Sequence, residues 1–163
     1  MAIRNSAKAL IINDNKVLLI KNQNTLDDIA HDLLAGTIYY TLPGGGQNQY
    51  ETLEETVKRE CLEETGYTVE VDRLAVICEE IWMNDKFRQE HENYTHKIYF
   101  IFICRLADKP MEEANEKDFD MIGTEWVDIN KVKDIRLISS IKSNLEVILN
   151  SNSIVYLEAE RIY

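Results

Sequence analysis

Glu60, Glu63 and Glu64 place three carboxylates on one side of a predicted helix, and their type and spacing are the first sign of chemistry in the chain. A helix turns by about 100° per residue, so the spacings i, i+3 and i+4 stack these side chains on adjacent turns. They fall in the last turns before Gly66, a residue suited to closing a helix. There the negative end of the helix dipole disfavours each carboxylate by roughly 0.3–1 kcal/mol. Like charges crowded at the unfavourable end of a helix call for a compensating partner. Hard carboxylate oxygens suit a divalent ion such as Mg²⁺ or Mn²⁺.

The elements around them agree. Leu53, Val57 and Cys61 recur every four residues and form the stripe that must pack on a core. That stripe adjoins the glutamate arc, so the acids should line a crevice, with Glu54 and Glu55 turned further round. Before the helix, Thr37 to Leu42 reads as a strand, and Pro43 with Gly44, Gly45 and Gly46 is expected to turn the chain. Glycines let backbone come close to a ligand. Bare carbonyls and N–H groups there can meet a metal or phosphate oxygens.

Residues 45–67, GGQNQYETLEETVKRECLEETGY, resemble the Nudix box, GX5EX7REUXEEXGU with U a bulky aliphatic residue. Gly45, Glu51, Arg59, Glu60, Glu63, Glu64 and Gly66 fall in register; Cys61 and Tyr67 depart from the pattern as packing variants. The resemblance implies an α/β (α+β) fold, an α/β/α sandwich around a mixed β-sheet, over a single domain of residues 1–163. It further implies a divalent-metal-dependent hydrolase, using Mg²⁺ or Mn²⁺, that cleaves the diphosphate linkage of a nucleoside diphosphate joined to a group X. In that reading Glu60 and Glu64 are the principal metal ligands, Glu63 is a further ligand or the base, and the carbonyl of Gly44 is a backbone ligand. Arg59 is structural support for the catalytic helix, pairing with Glu51. Metal ions are expected to bridge phosphate oxygens and acidify a water while a glutamate takes its proton.

Composition sets bounds on partners. A chain of 163 residues, 45% hydrophobic, can bury a core without disulfides. Its net charge of −11 argues against a long nucleic acid, which is bound through many Lys and Arg contacts. A small nucleotide or nucleoside diphosphate derivative is compatible, as is a second copy of the chain in a homodimer. The three cysteines, Cys61, Cys78 and Cys104, sit apart in apolar runs and read as buried thiols of a reducing compartment. Met1 to Ala9 lacks the apolar core of a signal peptide. The apolar run Ile98 to Cys104 is far short of the roughly 20 residues that span a bilayer. A cytoplasmic location without a membrane partner is expected.

Along the chain, Ala7 to Ile12 and Val17 to Lys21 predict a hairpin around Asn13–Lys16. Asn22 to Gly36 fits a short helix or a loop over the substrate mouth. Thr68 to Val71 and Arg73 to Met83 predict two strands. His96 to Leu106, apolar on both faces, predicts a central strand. Ile122 to Val127 predicts another. Ile138, Ile141, Leu145 and Ile148 fit one helical face, and Ile154 to Ala159 a final strand. His91 and His96 are five apart and would not share a helical face, which excludes the zinc-protease pattern. Ile122 and Ile129 occupy positions where a calcium loop beginning at Asp118 needs oxygen ligands.

Substrate choice is expected to lie outside the box. Tyr39, Tyr40, Trp82 and Phe87 are candidate stacking residues, and Arg4, Lys21, Arg88 and Lys97 candidate phosphate contacts. A further acid is sought between Glu112 and Asp120. Subgroup markers of the family, a proline or a tyrosine after the box, are replaced by Trp82 and Met83, so no substrate follows from them. Two other classes fit the fold: a catalytically silent nucleotide-binding module, which keeps the fold without turnover, and a prenyl diphosphate isomerase, which needs a cysteine and glutamate at its reacting centre.

Overall fold

A computed structural model of the protein describes residues 3–25, 34–115 and 118–163. Strands β1 (Arg4–Asn13) and β2 (Lys16–Gln23) form the expected hairpin. Asp14 and Asn15, both left-handed at φ 48° and 59°, make its tight two-residue turn. Most of the segment expected as a helix or mouth loop, residues 26–33, lies outside the described residues.

β3 (Ile38–Thr41) follows, and then the first correction. The glycine triplet is not the turn: Gly44–Gly46 is itself a strand, β4, antiparallel to β1, with Lys8 opposite Gly44 and Ser6 opposite Gly46. The chain bends at Pro43 instead, whose carbonyl accepts from Ala9 N at 2.9 Å.

Helix α1 (Leu53–Thr65) starts in a capping box. Thr52 accepts from the Glu55 amide and the Glu55 carboxylate accepts from the Thr52 amide, satisfying two N-terminal donors. Gly66 closes it at φ 73°. Just before the cap, Tyr50 is 97% exposed and held at φ 71°. A left-handed conformation is costly for a bulky side chain, and nothing is packed on the ring in return. Tyr50→Asn is expected to raise stability by about 0.5–1 kcal/mol in urea denaturation; a loss would mean that the ring has an unseen role.

The segments predicted as two strands are one, β5 (Val69–Trp82), because Asp72 and Ala75 are absorbed as bulges in its ladder with β6 (His96–Leu106). Between them lie α2 (Asp85–Glu90), capped by Asn84, and a 3-10 turn at Glu92–Tyr94; neither has an apolar period that sequence could reveal. β7 (Met121–Asp128) pairs with β2. The last helix is shorter than its apolar spacing suggests: α3 is Leu145–Asn150. Residues 136–138 are drawn off to the edge of β3, where Ile138 N donates to the Tyr40 carbonyl at 2.9 Å. The final strand divides into β8 (Val155–Tyr156) and β9 (Glu160–Ile162), both parallel to β5.

The path runs β3-β2-β1-β6-β5-β8, with β4 on β1, β7 on β2 and β9 on β5. β6 is interior as expected, parallel to β1 and antiparallel to β5. The result is the mixed sheet flanked by helices that the resemblance implies. β1 alternates. Ala7, Ala9 and Ile11 pack with Val57 and Cys61 of α1, while Leu10 enters the opposite core with Ile141, Leu145 and Ile148. Arg73 of β5 donates to the carbonyls of Ile148 and Ser151, fixing the end of α3. Among the described residues no helix is long and apolar enough to cross a membrane.

Candidate functional site

Two features of the chain bring α1 against β4. The small residues Ala7 and Ala9 let the helix settle on β1, and the bare glycines let its acids reach backbone. Glu64, 7% exposed, accepts from Gly44 N at 2.7 Å. Gly44 has φ 122°, and a Cβ there would stand 2.9 Å from Lys8 Cα, so no other residue fits. At Gly45 a Cβ would fall 2.5 Å from Glu60 Cδ; the carboxylate occupies the space that a side chain would fill.

Arg59 organises the outer half. Its Nε and Nη2 hold Glu51 at 2.6 and 3.0 Å, and Nη1 reaches Glu60 at 2.8 Å and Glu63 at 2.9 Å. Nη2 also donates to the Gly46 carbonyl at 3.3 Å. A planar fork is needed to meet so many acceptors at once. The hydrogen bonds from Arg59 hold the Glu51 carboxyl down at about 2, against burial, which acts the other way. The carboxylates in turn push the Arg59 guanidinium up.

Glu64 behaves oppositely. Burial pushes its carboxyl up to about 7, and Asp118 and Glu60 add to the shift, while Lys8 and the Gly44 amide oppose it. The Lys8 ammonium also donates to the Gly44 carbonyl, the backbone oxygen singled out in the sequence. The structure therefore brings Gly44, Glu60 and Glu64 together across one strand and ties Glu63 to the same cluster through Arg59.

Among the described residues no three His, Cys, Asp or Glu side chains converge closely enough to enclose an ion. The acids are taken up instead by Arg59, by Lys8 and by the Gly44 amide. The donor set nevertheless fits a hard divalent cation. It consists of oxygens alone, one of them on a buried carboxylate that burial makes costly to ionise and that an added positive charge would relieve.

Beside this cluster lies a cavity of about 480 Å³, whose lining includes Lys8, Asp118, Leu42, Tyr99 and Ile101. Of the candidate stacking residues, Tyr39 and Trp82 line it; Tyr39 is anchored by donating to Asp120 at 3.2 Å. Tyr40 is core, with its hydroxyl on Glu125 at 3.0 Å, and Phe87 backs Trp82 at 4.0 Å between ring centres. Phe119, 87% exposed on the cavity rim, escaped the sequence reading because its neighbours are all polar. Of the four candidate phosphate contacts, Lys21 is paired with Glu125, Arg88 with Asp85 and Lys97 with Glu80. Arg4 lies in a separate cleft. Residues 112–115 pack on the end of α1, through Glu112 N to the Gly66 carbonyl and Asn115 N to the Glu63 carbonyl, and Asp118 lines the cavity; Glu116 lies outside the described residues. His91 caps the end of α2 whereas His96 begins β6, and His96 contacts Glu79 at 2.9 Å. All three cysteines are buried and free.

Comparison with known proteins places this geometry. Nudix hydrolase 2 of Arabidopsis thaliana is 28% identical over 120 residues, 73% of this chain, which spans 37% of that protein's length. A NUDIX hydrolase from Nitrosomonas europaea superposes with a TM-score of 0.66 at 18% identity, over 91% of this chain and 88% of that one. An ADP-ribose pyrophosphatase from Streptococcus suis gives 0.61 at 18% identity, over 98% of this chain and 100% of its own. At such identities the superpositions speak for the fold. The family model of the NUDIX domain matches residues 2–146, the stretch that carries β1, the glycine strand and the glutamate helix, and the chain thus belongs to the Nudix hydrolase superfamily.

Proposed function

We propose that the protein is a Mg²⁺- or Mn²⁺-dependent hydrolase that cleaves the diphosphate linkage of a nucleoside diphosphate joined to a further group X. The observation that carries this reading is the meeting of Glu60 and Glu64 with the backbone of Gly44 and Gly45 across β4. The superfamily supports pyrophosphohydrolase chemistry in general.

In this reading Glu60, Glu64 and the Gly44 carbonyl hold the ion, with Glu63 as further ligand or base. A divalent ion bound there would offset the charge of the diphosphate and acidify an attacking water. The chain's own residues do the rest. Arg59 fixes Glu60 and Glu63 on the helix and ties the helix to Gly46, so that the acids are positioned before substrate arrives. Glu64, poised near neutrality by burial, exchanges a proton for a cation with little penalty. Among the described acids of the Glu112–Asp120 stretch, Asp118 is the one best placed to add a ligand or take a proton, since it lines the cavity and acts on Glu64 electrostatically. Substitution at phosphorus by water needs no covalent enzyme intermediate.

Hydrolysis is tested with a panel of nucleoside triphosphates, nucleoside diphosphate sugars and dinucleoside polyphosphates. Phosphate-containing products should form with Mg²⁺, cease on chelation and return on adding the ion. Nucleotide binding with no turnover on any member would instead establish the silent module.

A further inference from the structure

Arg4 stands apart from the other cations of the site. In a chain with 29 acidic against 18 basic side chains, every carboxylate-rich surface offers a partner, yet among the described residues no carboxylate pairs with it. Its guanidinium is nevertheless fixed in place. It stacks over the Tyr94 ring at 4.7 Å, and it lies on the bare face of Gly46, where a Cβ would stand 2.7 Å from Cζ. An arginine immobilised without an anion is an anion site with its ordering cost already met.

The surroundings have the same character. Arg4 lines a cleft of about 430 Å³ with the side-chain amides of Asn5, Gln47, Asn48 and Asn93, and among the described residues no acid lines it. The larger cavity is the reverse: among the described residues Glu79, Glu80, Asp118, Asp120 and Glu160 line it against Lys8 and Lys97. One opening is suited to a phosphoryl group, the other to a neutral group rich in hydrogen-bond donors, such as a base or sugar.

The glycine strand connects them. Lys8 sits opposite Gly44 at the cavity end, and Arg4 lies on Gly46 at the other. The two glycines are two residue steps apart, about 7 Å in an extended strand. Gly45 turns its bare face to Glu60 and Gly46 its bare face to Arg4, so a run of adjacent phosphoryl groups that passes over the outer edge of β4 meets the acids on one face and Arg4 on the other.

We propose that Arg4 and the amide cleft bind a phosphoryl group of the substrate beyond the cleaved linkage. The preferred substrates are then nucleoside triphosphates or longer polyphosphate nucleotides, ahead of nucleoside diphosphates joined to a neutral sugar. This rests on the reading of Glu60 and Glu64 as the centre of hydrolysis, and adds the direction in which substrate lies across it.

Two measurements test it. The first is calorimetric binding of inorganic tripolyphosphate to the metal-free protein, for wild type, Arg4→Gln and Arg4→Lys. Arg4→Gln should weaken binding about tenfold or more, the size of a charge-assisted pair, and Arg4→Lys by less, since lysine keeps the charge and loses the fork. Equal affinity in wild type and Arg4→Gln, or no binding by wild type, overturns the proposal. The second is kcat/KM on a nucleoside triphosphate and on the matching nucleoside diphosphate hexose. The triphosphate should be preferred, and Arg4→Gln should lower that preference about tenfold through KM. Equal losses on both substrates would make Arg4 merely structural and overturn the proposal. Arg4-dependent binding without hydrolysis of any nucleotide would sink the hydrolase reading and leave the phosphate cleft standing.

Discussion

Glu64→Gln is expected to do two opposite things: abolish most Mg²⁺-dependent turnover and stabilise the metal-free protein at alkaline pH. The loss of turnover should be about a hundredfold or more, the scale on which a bound ion stabilises charge in a transition state. The gain in stability follows from linkage. The folded protein holds the Glu64 carboxyl at about 7, against about 4.5 unfolded, because burial disfavours its charge. Its contribution to stability is therefore full below pH 4.5 and is lost as pH rises through 7, by about 3 kcal/mol at the alkaline end. Glutamine has nothing to lose over that range, and its side-chain oxygen can still accept from the Gly44 amide. Urea denaturation with chelator at pH 5 and pH 8 should show wild type weakening and the variant holding. If the variant turns over within a few-fold of wild type, Glu64 is no ligand. If both proteins share one pH profile, the carboxyl does not titrate as stated.

Arg59→Met should cost about 2–3 kcal/mol at neutral pH, since it strands Glu51, Glu60 and Glu63 in partly buried positions, reduced somewhat by the solvent that reaches them. Arg59 holds the Glu51 carboxyl at about 2, so the pair stabilises the fold fully above the ordinary carboxylate range and loses that effect as pH falls through 2. The two proteins should accordingly converge in stability near pH 2. Under the proposed mechanism Mg²⁺ should raise the melting temperature of the variant more than that of wild type, because the freed acids then have no other cation. Unfolding curves that coincide at neutral pH would show Arg59 to be an ordinary surface residue.

The arrangement of the candidate site was legible in the sequence because its rule is local. Glu60, Glu63 and Glu64 are fixed relative to one another by the helix alone, and Glu51 and Arg59 are one helix entry apart. What failed were judgements that depend on pairing. Gly44–Gly46 reads as a turn because three glycines have low strand propensity, yet the open edge of β1 recruits them. Asp72 looks like a break because a charged residue interrupts an apolar run, and a bulge absorbs it. Ile138 keeps helical spacing with Ile141, but hydrogen bonds to Tyr40 hold it extended on the cavity wall. The meeting of Lys8 with Gly44, the placement of Asp118 and the isolation of Arg4 arise from contacts between elements far apart in sequence, where no periodicity signals them.

The alternation of β1 interleaves two specifications on one ribbon. Residues 7, 9 and 11 seat the glutamate helix, while 4 and 8 line the two clefts. A substitution at 4 or 8 can alter what is recognised without disturbing the seat, whereas enlarging Ala7 or Ala9 would lift the helix and misalign every acid at once. Relatives could therefore diversify in selectivity by changing one set of positions while inheriting the other whole.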